Sequence, residues 1–175
     1  MKKMLFILSL LYSISAVSQP LKDSLFRFSM HEAYQLGVPS GYLNTKGDTV
    51  IPINKYIYCF TDTGTNFIIV MDSNHLCHAI DLKGAFLYEV YWFDNGPDPV
   101  SEGCFRIKKE GEIGFANTKG EIIIEPKFKC SNPFYKGLAR VTLECSTFQD
   151  SEYHSLMQSD KWFYINKNGG ISHYE

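Results

Sequence analysis

The sequence lacks an excess of charge of either sign. It contains 17 Lys and Arg against 19 Asp and Glu, which gives a formal net charge of −2 at pH 7. Proteins that bind nucleic acid or an anionic lipid surface carry a basic patch or stripe, and this balance provides no such electrostatic footprint. We therefore expect neither nucleic acid nor an anionic membrane surface among the partners.

The sequence also lacks a long hydrophobic run. Residues 4–14 form an apolar stretch that is shorter than the about 20 residues of a membrane-spanning helix. This stretch follows two lysines and precedes three small residues, Ala16, Val17 and Ser18. That order is typical of a secretory signal peptide, here residues 1–18, cleaved before Gln19. We therefore expect a periplasmic or secreted protein without stable membrane insertion after cleavage; the alternative is an apolar N-terminal strand or core helix.

Cysteines are few, and no CxxC motif occurs. All five lie beyond the predicted cleavage site, at Cys59, Cys77, Cys104, Cys130 and Cys145. An exported chain can form disulfides, but the odd number leaves at least one cysteine unpaired in a monomer. We expect most of them to be small buried hydrophobic residues. The composition leaves room for one disulfide, whose pairing the sequence does not determine.

Catalytic and metal-binding motifs are absent as well. The sequence contains no Gly-x-Ser-x-Gly, no phosphate-binding loop and no His-Glu-x-x-His. In a strand, the run His75-x-Cys77-His78 would place His75 and Cys77 on one face. No second pair of ligands lies at a suitable spacing. We therefore predict no catalytic residue, no cofactor and no metal site, and we expect that the protein is not an enzyme.

What the sequence does contain is a recurring turn. Residues 114–128 read GFANTKGEIIIEPKF, in which Asn117 opens a turn, Gly120 closes it, and apolar and polar residues then alternate. Asn or Asp at the first position and Gly at the fourth favour a type I turn that ends in a left-handed residue, within an antiparallel hairpin. Glycine suits the last position because a side chain is strained at positive φ. The same turn residues recur as Asn44 with Gly47, Asp81 with Gly84, and Asn166 with Gly169.

The four turn glycines follow one another at spacings of 37, 36 and 49 residues. The first two spacings are nearly equal, which indicates a structural repeat. The third is longer because residues 145–160 form a polar insert, most simply an elongated hairpin or loop. We predict a β-repeat domain over residues 40–175, whose units cover about residues 41–71, 76–108, 112–144 and 161–174.

The predicted fold is all-β, a repeat array of three-stranded antiparallel meanders. One unit alone would bury too little surface to be stable, so neighbouring units are expected to share apolar residues. Residues 19–39 are predicted to cap the first unit. Within them, residues 25–28 favour a strand, and residues 30–36 favour either one or two helical turns or a degenerate half-repeat in strand form. A strand at residues 25–28 that completed the last hairpin would close a ring, but we expect an open array.

These motifs resemble the WG repeat, also called the KWG repeat. Its pattern is an aromatic-Gly pair, an apolar residue, Asp or Asn, two residues, Gly, an apolar strand ending in Pro, an aromatic residue, and then a Phe-x-x-Gly-Leu-Ala strand. The third unit fits best, through residues 114–120, Pro126, Phe128 and residues 134–139. The other units depart from the pattern at one or more positions. The resemblance covers about residues 40–174 and implies a β-rich repeat array, often exported, with no established catalytic residues.

Two aromatic clusters are the remaining candidates for binding: Tyr56, Tyr58 and Phe60, and Tyr88, Tyr91, Trp92 and Phe93. In each run, one alternating set is expected to fill the core. In the second cluster, Tyr91 and Phe93 share one face of the predicted strand, and Tyr88 and Trp92 share the other. Exposed rings can stack on sugars or bind the apolar anchors of a partner. We therefore predict Tyr88 and Trp92 as candidate partner-binding residues.

These observations favour an exported, non-enzymatic scaffold for protein interactions in the cell envelope. The alternative is a glycan-binding module that uses exposed aromatic side chains, and a cryptic hydrolase is the third candidate. The partner is expected to be an envelope protein or a glycan, and the sequence does not identify it.

Overall fold

The computed structural model describes residues 23–29, 38–149 and 155–175, which form strands, turns and loops. The strands are β1 (Leu25–Ser29), β2 (Ser40–Leu43), β3 (Thr49–Ile51), β4 (Tyr58–Cys59), β5 (Thr63–Gly64), β6 (Phe67–Met71), β7 (Cys77–Asp81), β8 (Phe86–Val90), β9 (Trp92–Phe93), β10 (Gly96–Pro97), β11 (Cys104–Lys109), β12 (Glu112–Asn117), β13 (Ile122–Phe128), β14 (Cys130–Ser131), β15 (Leu138–Thr142), β16 (Ser146–Gln149), β17 (Ser155–Gln158), β18 (Phe163–Asn166) and β19 (Ile171–Tyr174). These residues contain no helix, so none of them lies in a helix long and apolar enough to cross a bilayer. The predicted signal peptide (1–18) and the predicted helical turns (30–36) lie outside the described residues.

The described strands pair antiparallel in five sheets. Their orders are β3-β2-β1-β5, β10-β9, β13-β12-β11-β8-β7-β6-β4, β14-β15-β18-β19 and β16-β17. None of these sheets closes into a barrel, and β1 pairs with β2 and β5 rather than with the last hairpin. The predicted all-β class and the open array are therefore confirmed over this part of the chain.

Four three-stranded meanders recur along the chain, and we number them 1 to 4. They are β1-β2-β3, β6-β7-β8, β11-β12-β13 and β15-β18-β19. In the predicted unit 76–108 the three strands β7, β8 and β11 pair in sequence, as expected. In the predicted units 41–71 and 112–144 the last strand instead pairs only with strands outside the preceding hairpin, as β6 does with β7. Pro52 directly follows β3 and has no amide hydrogen to donate to a neighbouring strand.

The predicted turns join the second and third strands of each meander. The Oδ1 atom of Asn44 accepts hydrogen bonds from the amides of Lys46 and Asp48, both at 2.9 Å. Asp81, Asn117 and Asn166 make the same two contacts in their own turns. The closing glycines have φ of 84°, 84°, 85° and 77°, in the left-handed region that glycine adopts without strain, at Gly47, Gly84, Gly120 and Gly169.

Consecutive meanders are joined by shared apolar clusters. The residue four positions after a turn glycine contacts the turn of the next meander. Ile51 does so at Gly84, where an added Cβ would lie 2.9 Å from its Cδ1 atom. The hydroxyl of Tyr88 donates to the carbonyl of Gly120 at 3.1 Å. Three clusters result, each built from two consecutive meanders and represented by Tyr42 with Ile80, Ala79 with Phe105, and Phe115 with Ile165.

Meander 4 ends this series with a polar residue. The position equivalent to Ile51 and Tyr88 is His173, which is exposed and stacks on Tyr164 with the ring centroids 4.5 Å apart. The same strand also exposes Ile171 and Tyr174, whose exposed fractions are 53% and 72%.

The insert forms a hairpin in its described part. Its strands β16 and β17 pair from Ser146 with Gln158 to Gln149 with Ser155. A disulfide between Cys130 and Cys145 ties the start of the insert to β14. The other three cysteines are free and buried, as expected for small hydrophobic residues, at Cys59, Cys77 and Cys104.

Candidate functional site

One cleft brings together rings from both predicted aromatic clusters. It is lined by Tyr58, Phe60, Met71, His75, Trp92 and Asn95, and we call it the aromatic cleft. Its volume of about 430 Å³ lies within the range of about 300–1,000 Å³ that is usual for small-molecule sites. The rings of Tyr58 and Phe60 stack with centroids 5.9 Å apart, and Trp92 lies 6.2 Å from Phe60 at an interplanar angle of 60°.

The first wall of the cleft is set by strand alternation at β4. Tyr58 pairs with Met71 of β6, and the amide of Phe60 donates to the carbonyl of Ile69 at 2.9 Å. Because alternate residues point to opposite faces, Tyr58 and Phe60 share the cleft side while Cys59 points into the core between meanders 1 and 2. The sheet thus fixes both rings through its backbone hydrogen bonds.

The second wall is the short β9–β10 hairpin that carries Trp92. Its base is held by a buried ion pair, in which the backbone amide of Arg106 donates to Oδ2 of Asp98 at 2.7 Å and its Nε donates to Oδ1 at 3.1 Å. The Arg106 guanidinium also lies over the rings of Tyr91, at 4.2 Å, and Phe93, at 5.4 Å. These contacts on either side of Trp92 hold the hairpin, so Arg106 and Asp98 position a cleft ring without lining the cleft.

The rim of the cleft contains a fifth turn of the same kind as the other four. Oδ1 of Asp72 accepts hydrogen bonds from the amides of Asn74 and Leu76, each at 2.9 Å, and the amide of His75 donates to the carbonyl of Asp72 at 3.1 Å. His75 occupies the position that is glycine in the other four turns, with φ of 61°. A left-handed conformation costs a residue with a side chain about 1–2 kcal/mol.

The expectation that His75 and Cys77 lie on one face of a strand is wrong. His75 lies in the turn and is exposed, whereas Cys77 begins β7 and is buried. Nε2 of His78 instead pairs with Oδ2 of Asp72 at 3.0 Å. That hydrogen bond is the main cause that lowers the pKa of Asp72 to about 2. The described residues contain no group of three or more His, Cys, Asp and Glu side chains that could hold a metal ion.

The two predicted partner-binding residues are separated by the structure. Trp92 is 41% exposed in the cleft, but Tyr88 is only 6% exposed and packs between meanders 2 and 3. The prediction of a shared outer face is wrong because β8 ends at Val90 and Trp92 belongs to a different hairpin, so strand alternation does not continue between them. Burial raises the pKa of Tyr88 to about 12.

Sequence reasoning missed Met71, His75 and Asn95 as cleft residues. Of these three, only His75 could have been found from the sequence, because Asp72-Ser73-Asn74-His75 matches the turn pattern except at the glycine position. Among the residues that the structure describes, the lining includes no Asp, Glu, Lys or Arg. The cleft is therefore an aromatic surface whose rim offers an imidazole and an amide, and it is suited to an uncharged ligand with both apolar and polar groups.

Comparison with known proteins gives one match. Residues 113–144 match a protein-family model described as WG containing repeat. They include β12 from its second residue, the turn from Asn117 to Gly120 and β13, which belong to the unit whose motifs carry the resemblance. No curated protein and no solved structure matches the chain significantly. The remaining predicted units and the boundaries of the domain at residues 40–175 stay predictions.

Proposed function

We propose that this chain, in which residues 113–144 match the family model described as WG containing repeat, is a non-enzymatic interaction scaffold of the cell envelope. The aromatic cleft is the observation that carries this proposal. Its rings are held by sheet hydrogen bonds and by a buried ion pair, so little conformational entropy would be lost when a partner binds. Aromatic side chains also dominate the binding energy of most interfaces.

Export is part of the proposal. It is supported by residues 1–18, in which two lysines are followed by an apolar run and then by small residues. The disulfide between Cys130 and Cys145 is consistent with an oxidising compartment. Mass spectrometry of the protein recovered from periplasm and medium tests it. We expect a chain that begins at Gln19, and a chain confined to the cytoplasm with residues 1–18 intact would contradict export.

The scaffold role is tested by capture from envelope extract on the immobilised exported chain. Trp92→Ala removes an exposed cleft ring, and Tyr135→Ala removes a ring that is 71% exposed and does not line the cleft. We expect a partner that the wild type and Tyr135→Ala retain and Trp92→Ala loses, because a buried aromatic anchor contributes about 2 kcal/mol or more to binding. Equal recovery on all three chains would contradict a cleft-based scaffold.

Glycan binding is the second candidate function. It is favoured by one specific observation: the described residues of the cleft lining carry no Asp, Glu, Lys or Arg, and they include His75 and Asn95 at the rim. The non-enzymatic part of the proposal is supported by the absence of recognised catalytic motifs from the sequence. It is tested with a broad panel of hydrolase substrates. Turnover that a single side-chain substitution abolishes would replace the scaffold with a hydrolase.

A further inference from the structure

The chemistry of the aromatic cleft narrows the class of ligand. The described residues of its lining combine three aromatic rings, a methionine, an imidazole and an amide, with no side chain of Asp, Glu, Lys or Arg among them. Transfer of a charged group into an apolar site is costly unless an opposite charge pairs with it. A carboxylate or phosphate ligand would find no such partner in this lining. An uncharged ligand is therefore favoured.

The walls favour a flat ligand that has an apolar face. The rings of Tyr58 and Phe60 lie at an interplanar angle of only 22°, and Trp92 is inclined to Phe60 by 60°, so the cleft contains aromatic rings in two orientations. The C–H face of a sugar ring packs on such rings, while the hydroxyl groups at its edge need hydrogen-bond partners. The volume of about 430 Å³ is also typical of pockets for small organic molecules.

His75 supplies a second and independent observation. Four of the five equivalent turns close with an unstrained glycine, and the fifth, at the cleft, closes with a histidine at φ 61°. The ring of this histidine is exposed and makes no hydrogen bond with the described residues. No hydrogen bond of the ring to these residues therefore offsets the free-energy cost of the left-handed backbone. A residue that is held in such a conformation beside a cleft motivates the hypothesis that it has a role in binding.

We propose that the aromatic cleft binds a neutral saccharide and that His75 contacts its hydroxyl groups. This inference rests on glycan binding, the second candidate in the proposed function, since it names the class of glycan and the residues that contact it. Tyr58, Phe60 and Trp92 stack on the C–H face of the sugar. His75 and Asn95 donate or accept hydrogen bonds at its edge, which fixes the orientation of the ring.

The test is a calorimetric titration of the exported chain with maltotriose, cellotriose, xylotriose and triacetylchitotriose, and with trigalacturonate as a charged comparator. We expect at least one neutral trisaccharide to bind more tightly than trigalacturonate. Trp92→Ala should weaken that binding about tenfold or more. His75→Gly should weaken it about fivefold, the effect of one neutral hydrogen bond.

Asn54→Gly is the matched control for His75→Gly. Asn54 also has a positive φ, of 68°, but does not line the cleft. Both substitutions relieve backbone strain, so both variants should unfold at the same or a higher temperature than the wild type. Only His75→Gly should lose affinity. Unchanged affinity of His75→Gly would show that His75 does not contact the ligand.

The outcomes separate this inference from the proposed function. If no neutral trisaccharide binds, while capture of an envelope protein still depends on Trp92, the saccharide inference is wrong and the scaffold stands. If neither kind of binding depends on Trp92, both are wrong. Tighter binding of trigalacturonate than of every neutral trisaccharide would also overturn the inference.

Discussion

Gly120→Ala should destabilise the protein through the packing between meanders 2 and 3. A Cβ atom at Gly120 would lie 2.8 Å from Cδ1 and 3.3 Å from Cγ of Phe67, and both are closer than atoms in van der Waals contact. The Phe67 ring cannot move aside freely, because it stacks on Phe105 with the centroids 5.8 Å apart. The substitution therefore adds an overpacking cost to the cost of the left-handed backbone.

Gly47→Ala isolates the backbone cost. Gly47 has φ of 84°, against 85° for Gly120, but an added Cβ would meet no atom within 4 Å. Its substitution should cost about 1–2 kcal/mol, the usual penalty for a side chain in the left-handed region. Overpacking typically costs about 1–3 kcal/mol more. We therefore expect Gly120→Ala to lose about 2–5 kcal/mol in all.

Urea unfolding measures both variants against the wild type. The free energy of unfolding should fall in both, with little change in the slope against urea, because neither substitution alters the surface that unfolding exposes. Gly120→Ala should be the less stable by at least about 1 kcal/mol. A difference smaller than about 0.5 kcal/mol, the range of ordinary surface substitutions, would refute the role of the turn glycine in packing between meanders.

Three further predictions concern buried and charged groups. Asp72→Asn keeps the turn, but it removes the carboxylate whose pKa His78 lowers to about 2. In the wild type this carboxylate stabilises the fold at any pH above its ordinary pKa, and the stabilisation is lost as the pH falls towards 2. In urea unfolding from pH 5 to 2, the variant should therefore lose less stability than the wild type, and parallel losses would contradict the pairing. Asp98→Ala leaves the buried Arg106 unpaired and should lower the free energy of unfolding by about 3–5 kcal/mol, whereas a loss below about 1 kcal/mol would contradict a tightly held pair. Burial raises the pKa of the three free thiols, Cys59, Cys77 and Cys104. Iodoacetamide at pH 8 should therefore label none of them in the native protein and all three after unfolding without reductant. Labelling of the native protein would contradict their burial.

The turns were predictable because their determinants are local. The side-chain oxygen of Asn117 and the positive φ of Gly120 act within a few residues, so both can be recognised in the sequence. The phase of the meanders was not predictable in the same way. It depends on which strands pair across loops, and β6 pairs with β7 rather than with β3.

The candidate site was predicted only in part, for a similar reason. The aromatic clusters stood out in composition, yet strand alternation could not show that β8 ends before Trp92 and that Tyr88 is buried. The contact between Phe60 and Trp92 joins residues far apart in the chain and depends on the hairpin held by Arg106. The turn that ends at His75 was not recognised from the sequence, because it has histidine where the pattern requires glycine, and histidine tolerates a left-handed backbone at a cost.

The central claim is that the fold assembles one binding cleft from aromatic residues of separate segments. Its most direct test is a nuclear Overhauser experiment on the exported protein, observed at the indole protons of Trp92. We predict cross-peaks to the ring protons of Phe60, whose centroid lies 6.2 Å from that of Trp92. Cross-peaks from Trp92 to its sequence neighbours alone would contradict the claim.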